Sequence, residues 1–407
     1  NVSTSIFAQG TDPAGNTSSC TSLTTYLNDG MAPTVANVTS TLADGTYGQG
    51  QIIPVKVEFS ESVFVTGTPQ LTLETGASDA VVNYASGSGS NVLTFNYTVA
   101  AGHDSSDLNY ASTVALLANG GSIKDTAGND ATLTLPALDA ANSLASQKAI
   151  VVDTTSPTLS YVSISPVPPA QSQTPTVTFS LSEQATVTLY RNSDCSTTAS
   201  SSIPLSAGAA QTITTNTLPA NAATTIYAKA VDPVNNASSC TNLVVYTHDN
   251  SAPAVTSFAR NASQPAMTNS LPVNFTITFS EAINPSSFTS TDLSNGGTAT
   301  GVTWFIIDTG DHQSFTVSVT NSGNGTLTPR LASGSIADIA GNTNSGITSS
   351  SNNVNYSVAP YTVTINQASG QVDPVNTVPV NFRVVFSSAV GNNTFTAGDI
   401  VQNGTAS

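Results

Sequence analysis

Phe275-Thr276-Ile277-Thr278-Phe279-Ser280-Glu281 alternates apolar and polar residues and then runs into Ser-Glu. Val273, Phe275, Ile277 and Phe279 share one face of such a segment, and Asn274, Thr276 and Thr278 the other. That period of two predicts a strand with one face on a core and one in water. The signature recurs as Val55-Lys56-Val57-Glu58-Phe59-Ser60-Glu61 and as Val177-Thr178-Phe179-Ser180-Leu181-Ser182-Glu183. A second signature, Asp-x-x-x-Asn, joins Asp12 to Asn16, Asp125 to Asn129, Asp232 to Asn236 and Asp338 to Asn342. Repetition on this scale marks an array of similar domains, and the carboxylates it repeats are the candidate functional groups.

The 407 residues suffice for roughly three to four domains. Charged residues make up only 8% and the net charge is −16. Ser, Thr, Asn, Gly and Ala dominate, and β-branched residues carry much of the apolar content, which favours an all-β chain rich in turns. The eight basic residues are scattered, so no basic patch exists to hold phosphate backbones, and nucleic acid is not an expected partner. No run of eighteen apolar residues occurs, so no membrane-spanning helix is expected in this window.

An acidic residue shortly before a proline marks the linkers: Asp29 before Pro33, Asp153 before Pro157, Asp249 before Pro253. Proline suits the start of a first strand, where its missing N–H costs least. Pro360 marks a fourth boundary, but its linker is Ser357-Val358-Ala359 and Ser388 stands where the Glu would be. Residues 1–30 align without gaps to 221–250, with Asp12 opposite Asp232, Cys20 opposite Cys240 and Tyr26 opposite Tyr246. Pro360, Phe386, Phe395 and Asp399 match Pro253, Phe279, Phe288 and Asp292 at one constant offset. Five units are therefore expected: the later part of a domain over residues 1–31, whole domains over 32–153, 154–249 and 250–358, and the first part of another over 359–407. About seven short strands per ~100 residues predicts tandem immunoglobulin-like β-sandwich domains, end to end.

The unit 32–153 carries a family resemblance in Gly48-Gln49-Gly50-Gln51-Ile52-Ile53-Pro54, Gly67-Thr68-Pro69-Gln70-Leu71-Thr72-Leu73, Asp107-Leu108-Asn109-Tyr110-Ala111-Ser112 and Ile123-Lys124-Asp125-Thr126-Ala127-Gly128-Asn129. These segments resemble the bacterial Ig-like repeats of large surface adhesins, and at varying strength the resemblance covers essentially the whole chain. It implies a sandwich fold, export to the bacterial cell surface, a place in a long stalk, and often calcium at the joints. It identifies no receptor.

The parity of the strands bears on that calcium. Glu61 continues the inward row of Ile53, Val55, Val57 and Phe59; Glu183 and Glu281 continue theirs in the same way. A carboxylate on a core-facing row needs a partner. Lys124 is one candidate for Glu61, but no equivalent base neighbours Asp232 or Asp338. In an Ig-like sandwich the loop after the second strand, the Asp-x-x-x-Asn loop and the incoming linker lie at one pole. Three acidic sets follow: Asp29, Glu61 and Asp125; Asp153, Glu183 and Asp232; Asp249, Glu281 and Asp338. Calcium takes six to eight oxygens in flexible geometry, with Asn or backbone carbonyls as further donors. The same residue types also cap turns, and Gly128 and Gly341 fit left-handed turn positions. One Asp alone does not separate the two roles; recurrence of the whole triplet favours calcium. His103, His248 and His312 are isolated and belong to no zinc-like cluster.

Cys195 and Cys240 fall in one unit and are the expected disulfide, with two buried thiols as the alternative; the partner of Cys20 is expected in the missing half of its own domain. A disulfide implies an oxidising exterior. No Gly-x-Ser-x-Gly, His-Glu-x-x-His or phosphate loop occurs, so no enzyme is expected. His103, Asp104 and Asp107 read as a solvated loop, and Trp304 with Phe305 as core or edge aromatics rather than a carbohydrate platform. The chain is thus expected to be a structural segment of a long extracellular fibre or adhesin stalk. Its expected partners are neighbouring domains of the same chain and other copies in the fibre, its receptor being unknown. Two alternatives stand: a glycan- or protein-binding adhesin module, and an accessory region of a secreted hydrolase.

Overall fold

A computed structural model describes residues 2–346, 348–358, 360, 362–387, 389–391 and 394–404. Ala359 and Ser388, on which the expected difference at the Pro360 boundary rests, lie outside the described residues. The fold is almost entirely β: the described residues hold one four-residue α-helical turn, Leu144–Gln147, and three short 3-10 turns. Two compact units are distinguished, one of residues 1–168 with 172–248, the other of residues 169–171 with 249–407.

In the first unit, the strand Ile52–Thr66 buries Ile53, Val55, Val57 and Phe59 on one face and continues past Glu61 to Val63. The sequence predicts the strand's end at Glu61, whereas Glu61 lies inside it, at a register shift between Glu58 and Val63. The shift lets one long strand serve two layers. Its front half pairs with Val35–Ser40 and Ser90–Thr98, and its last residues pair with Ser122–Lys124. Ala80–Ser86 turns between layers in the same way, pairing first with Gln70–Glu74 and then with Ser90–Thr98. Eight strands join in this sheet, around a core that includes Val38, Leu71, Leu93 and Phe95. After Asn129 the chain runs through irregular segments and the Leu144–Gln147 turn before the last strand, Ile150–Val152.

The second sandwich, also in the first unit, has seven antiparallel strands. Leu159–Ser165, Thr176–Leu181 and Gly208–Thr214 form one sheet; Ile203–Leu205, Ala185–Tyr190, Ala223–Val231 and Thr241–Thr247 form the other. Val177, Phe179, Val187, Leu189, Ile226 and Ala228 are fully buried. Each such large apolar side chain contributes about 1.5–3 kcal/mol relative to exposure. Ahead of both sandwiches, Val2–Ala8 and Thr21–Asn28 form a hairpin with every described residue exposed.

The second unit holds a sandwich whose main sheet orders Val255–Arg260, Val273–Phe279, Ser314–Asn321 and Thr303–Asp308, with two three-stranded sheets completing it. Phe275, Ile277 and Phe279 are fully buried, as their parity predicts. Trp304 is buried while Phe305 is exposed, because adjacent strand residues point to opposite faces; the two do not make one platform. A final hairpin, Val363–Gln367 with Phe382–Phe386, follows. Its sequence match to the third sandwich extends to detail. Phe386 meets Phe395 edge-on as Phe279 meets Phe288, and Asp399 caps Thr396 as Asp292 caps Thr289.

Candidate metal centres

Each Asp-x-x-x-Asn segment closes on itself. The Asp Oδ1 accepts the Asn backbone N–H at 2.8 Å for Asp125, 2.7 Å for Asp232 and 2.8 Å for Asp338. Its Oδ2 accepts the Asn side-chain amide at 2.7, 2.7 and 2.8 Å in the same order. A left-handed residue makes the turn in each: Gly128 at φ +96°, Asn235 at +73° and Gly341 at +88°. All three Asp side chains are buried.

The Asn then reaches outward. Its amide nitrogen also donates to the backbone carbonyl of the linker Asp: Asn129 to Asp29 at 3.2 Å, Asn236 to Asp153 at 3.0 Å, Asn342 to Asp249 at 3.1 Å. The Ser of each Ser-Glu pair fixes the other end of the linker. Ser60, Ser182 and Ser280 Oγ accept the N–H of Thr34, Thr158 and Ala254, the residue after each linker Pro, at 3.1, 2.9 and 3.0 Å. The linker Asp turns on its own Oδ1, which accepts the N–H two residues on, of Met31, Thr155 and Ser251.

These neutral hydrogen bonds bring three carboxylates together at each linker. Asp29, Glu61 and Asp125 gather in the first, Asp153, Glu183 and Asp232 in the second, and Asp249, Glu281 and Asp338 in the third. In every set the candidate ligand oxygens lie within 4.8 Å of one another. The Asp is buried and its two partners are half-buried. Burial first, then the two neighbouring Asp charges, push the Glu61 and Glu281 carboxyls above the ordinary range. Glu183 is raised by burial and by Asp153, Asp232 and Asp104. Burial also raises Asp153. It works in the same sense on Asp125, but hydrogen bonds from Asn129, Gly128 and Ala127 outweigh it and hold that carboxyl low.

Among the described residues no base pairs with the sets. Lys124 does not partner Glu61; its Nζ bonds Asp130 Oδ1 at 2.8 Å. The other ion pair among the described residues is His312 with Asp308, neither of which belongs to a set. Among the described residues Glu61, Glu183 and Glu281 accept no hydrogen bond, so their oxygens remain open to a ligand. Hard, anionic oxygen donors with no internal counter-ion fit a cation of the calcium type. The Asn amides do not fit the role of ligands through nitrogen, since both of their N–H groups are engaged.

One further carboxylate, expected from the sequence to lie in a solvated loop, reaches the second linker. Asp104 belongs to the first sandwich, yet its Oδ1 accepts the N–H of Thr154 in the following linker at 2.8 Å, and Gly102 N–H donates to the Thr154 hydroxyl at 2.9 Å. Its charge is felt by both Asp153 and Glu183. The 103–104 segment is therefore not a freely solvated loop: His103 also bonds the Tyr97 hydroxyl at 2.9 Å and stacks on its ring. In the third sandwich the uncharged Asn324 takes the same part, its Oδ1 accepting the N–H of the linker residue Val358 at 2.9 Å, so repetition of acidic residues carried no signal for Asp104.

Cys195 and Cys240 form a disulfide with Cα atoms 5.8 Å apart, tying the segment after Ala185–Tyr190 to the start of Thr241–Thr247. Cys20 is free and exposed. No helix among the described residues is long and apolar enough to cross a membrane, which does not bear on β-barrels.

No protein-family model matches the chain, and no curated protein matches it. Among solved structures it is similar to an I-band fragment of titin, I67–I69, at 10% identity over 79% of this chain and 98% of that one, with a TM-score of 0.29. Drosophila N-cadherin EC1-4 aligns at 10% identity, 79% and 75% coverage and a TM-score of 0.23. The S-layer protein rSbsC aligns at 12% identity, 88% and 63% coverage and a TM-score of 0.18. Likenesses at these scores carry no argument about the chain.

Proposed function

We propose that this chain is a structural segment of a long extracellular bacterial fibre or adhesin stalk, a row of Ig-like spacers whose joints are stiffened by calcium, with no catalytic role. The observation that carries the proposal is the recurrence of one assembly at three successive linkers: linker Asp, strand Glu and loop Asp, held by the same Ser and Asn hydrogen bonds. Asp29, Glu61 and Asp125, Asp153, Glu183 and Asp232, and Asp249, Glu281 and Asp338 would hold the ions. Bound calcium would supply the positive charge that each set lacks, tying the linker to the sandwich that follows it. Without it, three like charges push the linker away from the pole. The disulfide supports an oxidising, extracellular setting.

The test is calorimetric titration of calcium into chelator-treated protein, paired with X-ray scattering in both states. The expected result is about three ions per chain with affinities of roughly 10⁻⁴–10⁻³ M, the range of extracellular modules, and a longer, narrower distance distribution with calcium. Absence of saturable binding, or binding with unchanged scattering, would overturn the proposal.

A further inference from the structure

The strand Thr303–Asp308 ends the main sheet of the third sandwich. Ser314–Asn321 pairs with one side of it, and no strand among the described residues lies beyond the other. Exposed edges are usually interrupted, because their free N–H and C=O groups invite pairing with another chain. Other edges of this protein follow that rule. Leu159–Ser165 and Val255–Arg260 each carry a register shift, and Ile203–Leu205 is short and contains Pro204. From Trp304 to Asp308 the register runs without a break. The run holds no Lys, Gly or Pro, and it turns Phe305 and Ile307, 57% and 48% exposed, to solvent.

The neighbouring strands fix which backbone groups face outward. Phe279 N–H donates to the Gln313 carbonyl at 2.9 Å, and Thr309 N–H to the Ser314 carbonyl at 3.1 Å. Hydrogen-bonded positions alternate along an antiparallel pair. By the registers on either side, Phe315, Val317 and Val319 bond to Val273–Phe279, while Ser314, Thr316 and Ser318 bond to Thr309, Ile307 and Phe305. Trp304, Ile306 and Asp308 therefore turn their N–H and C=O groups to the open edge.

We propose that this edge pairs with the same edge of a second copy of the chain, antiparallel, about a dyad at Ile306. Residues directly opposite in such a pair share a face. Centred on Ile306, the register sets Ile306 opposite its own copy, Trp304 opposite Asp308, and Phe305 opposite Ile307. The three residues with outward backbone groups then occupy the hydrogen-bonded positions. Phe305 and Ile307 fall at the other positions, where side chains lie closest, and each covers the other. Charge agrees with this register. In a chain of net charge −16 the run carries a single carboxylate, and it meets Trp304 rather than its own copy. Asp308 also has its counter-ion, His312, within its own chain. An edge this short buries less than a standard interface, so association is weak and depends on concentration. The pairing gives the fibre reading a contact between copies but does not depend on it, since edge and register stand with or without calcium.

For the test, Cys20, which is free and exposed, is alkylated first so that no disulfide links copies. Sedimentation equilibrium should then show monomer passing to dimer as the concentration rises to about 1 mM, equally in calcium and in chelator. Backbone hydrogen exchange, read residue by residue, reports the register. Trp304, Ile306 and Asp308 should slow by the factor that the paired fraction requires, about twofold when about half the chains are paired, whereas Phe305 and Ile307 should not change. Phe305→Lys with Ile307→Lys sets like charges opposite each other across the dyad and should leave the chain monomeric. Both side chains face solvent, so the fold should be kept. Monomer alone at about 1 mM, dimers that persist in the variant, or dimers in which exchange at Trp304, Ile306 and Asp308 is unchanged would overturn the proposal.

Discussion

Glu281→Gln should change the sign of its effect with calcium. The substitution keeps the shape of the side chain and removes one of three charges whose ligand oxygens lie within 4.8 Å. A like-charge pair at that distance costs about 3 kcal/mol at an effective dielectric near 20. Partial exposure of Glu281 and Asp249 screens this to about 1 kcal/mol per pair. Two pairs, with Asp249 and Asp338, are relieved. In chelator the variant's third sandwich should therefore be more stable by about 2 kcal/mol, or about 8 °C in melting temperature for a domain of this size. At about 100 mM calcium the order should reverse. An ion bound with an extracellular-module affinity then stabilises the original protein by about 2.7–4.1 kcal/mol through mass action, and the variant, lacking a ligand, should gain little. Differential scanning calorimetry of both proteins, with and without calcium, reads all four states. A variant less stable in both conditions, or one that gains as much from calcium as the original, would refute the electrostatic account of the joint.

Three further outcomes follow from the same structure. In chelator, lowering the pH should stabilise the joints: Glu61, Glu183 and Glu281 have folded-state pKa values raised above the unfolded value, so their contribution is fully favourable below the ordinary glutamate range near 4.5 and is lost as pH rises through the raised values; calorimetric melts across that interval would show it. Cys240→Ala should cost the second sandwich about 4 kcal/mol in the chain-entropy model, because the disulfide closes a 45-residue separation, and denaturant unfolding would measure it. Asn236→Ala removes the amide that bridges Asp232 Oδ2 and the Asp153 carbonyl. It should cost about 1–3 kcal/mol and broaden the scattering distribution even with calcium present.

The sequence made the inward row of each second strand legible, because side-chain direction alternates strictly along a strand. Val273, Phe275, Ile277 and Phe279 needed no further information to be placed on the core, and Glu281 was aimed at the pole by the same count. Which loops meet at the pole followed once a sandwich was assumed. What the count could not supply was any contact made across the linker. Ser60, Ser182 and Ser280 looked like ordinary strand-end polar residues. Their role depends on where the residue after the linker proline returns, 26, 24 and 26 residues away along the chain. Lys124 was close to the right place in sequence, but Asp130 lies nearer across the turn and takes its charge. The passage of Ile52–Thr66 between layers was hidden because the polar run Ser60-Glu61-Ser62 interrupts the apolar alternation at the shift and reads as the end of a strand.

The choice of asparagine as the repeated partner has a physical reason that bears on the proposed site. A lysine in its place would satisfy the buried Asp and occupy the centre, leaving nothing for a cation to neutralise. Asn129, Asn236 and Asn342 instead hold the Asp carboxylate and the linker carbonyl with neutral donors, so each set keeps its full negative charge while its geometry is fixed. Fixing the ligands beforehand removes most of the ordering cost from binding, and retaining the charge keeps the electrostatic gain. The hydrogen bonds and the carboxylates therefore act in opposite directions when no ion is present: the Ser and Asn contacts close the joint and the charges open it. A joint built this way is held near balance and can be shifted by a cation. One cross-linked by lysine–carboxylate pairs would be closed at every calcium concentration.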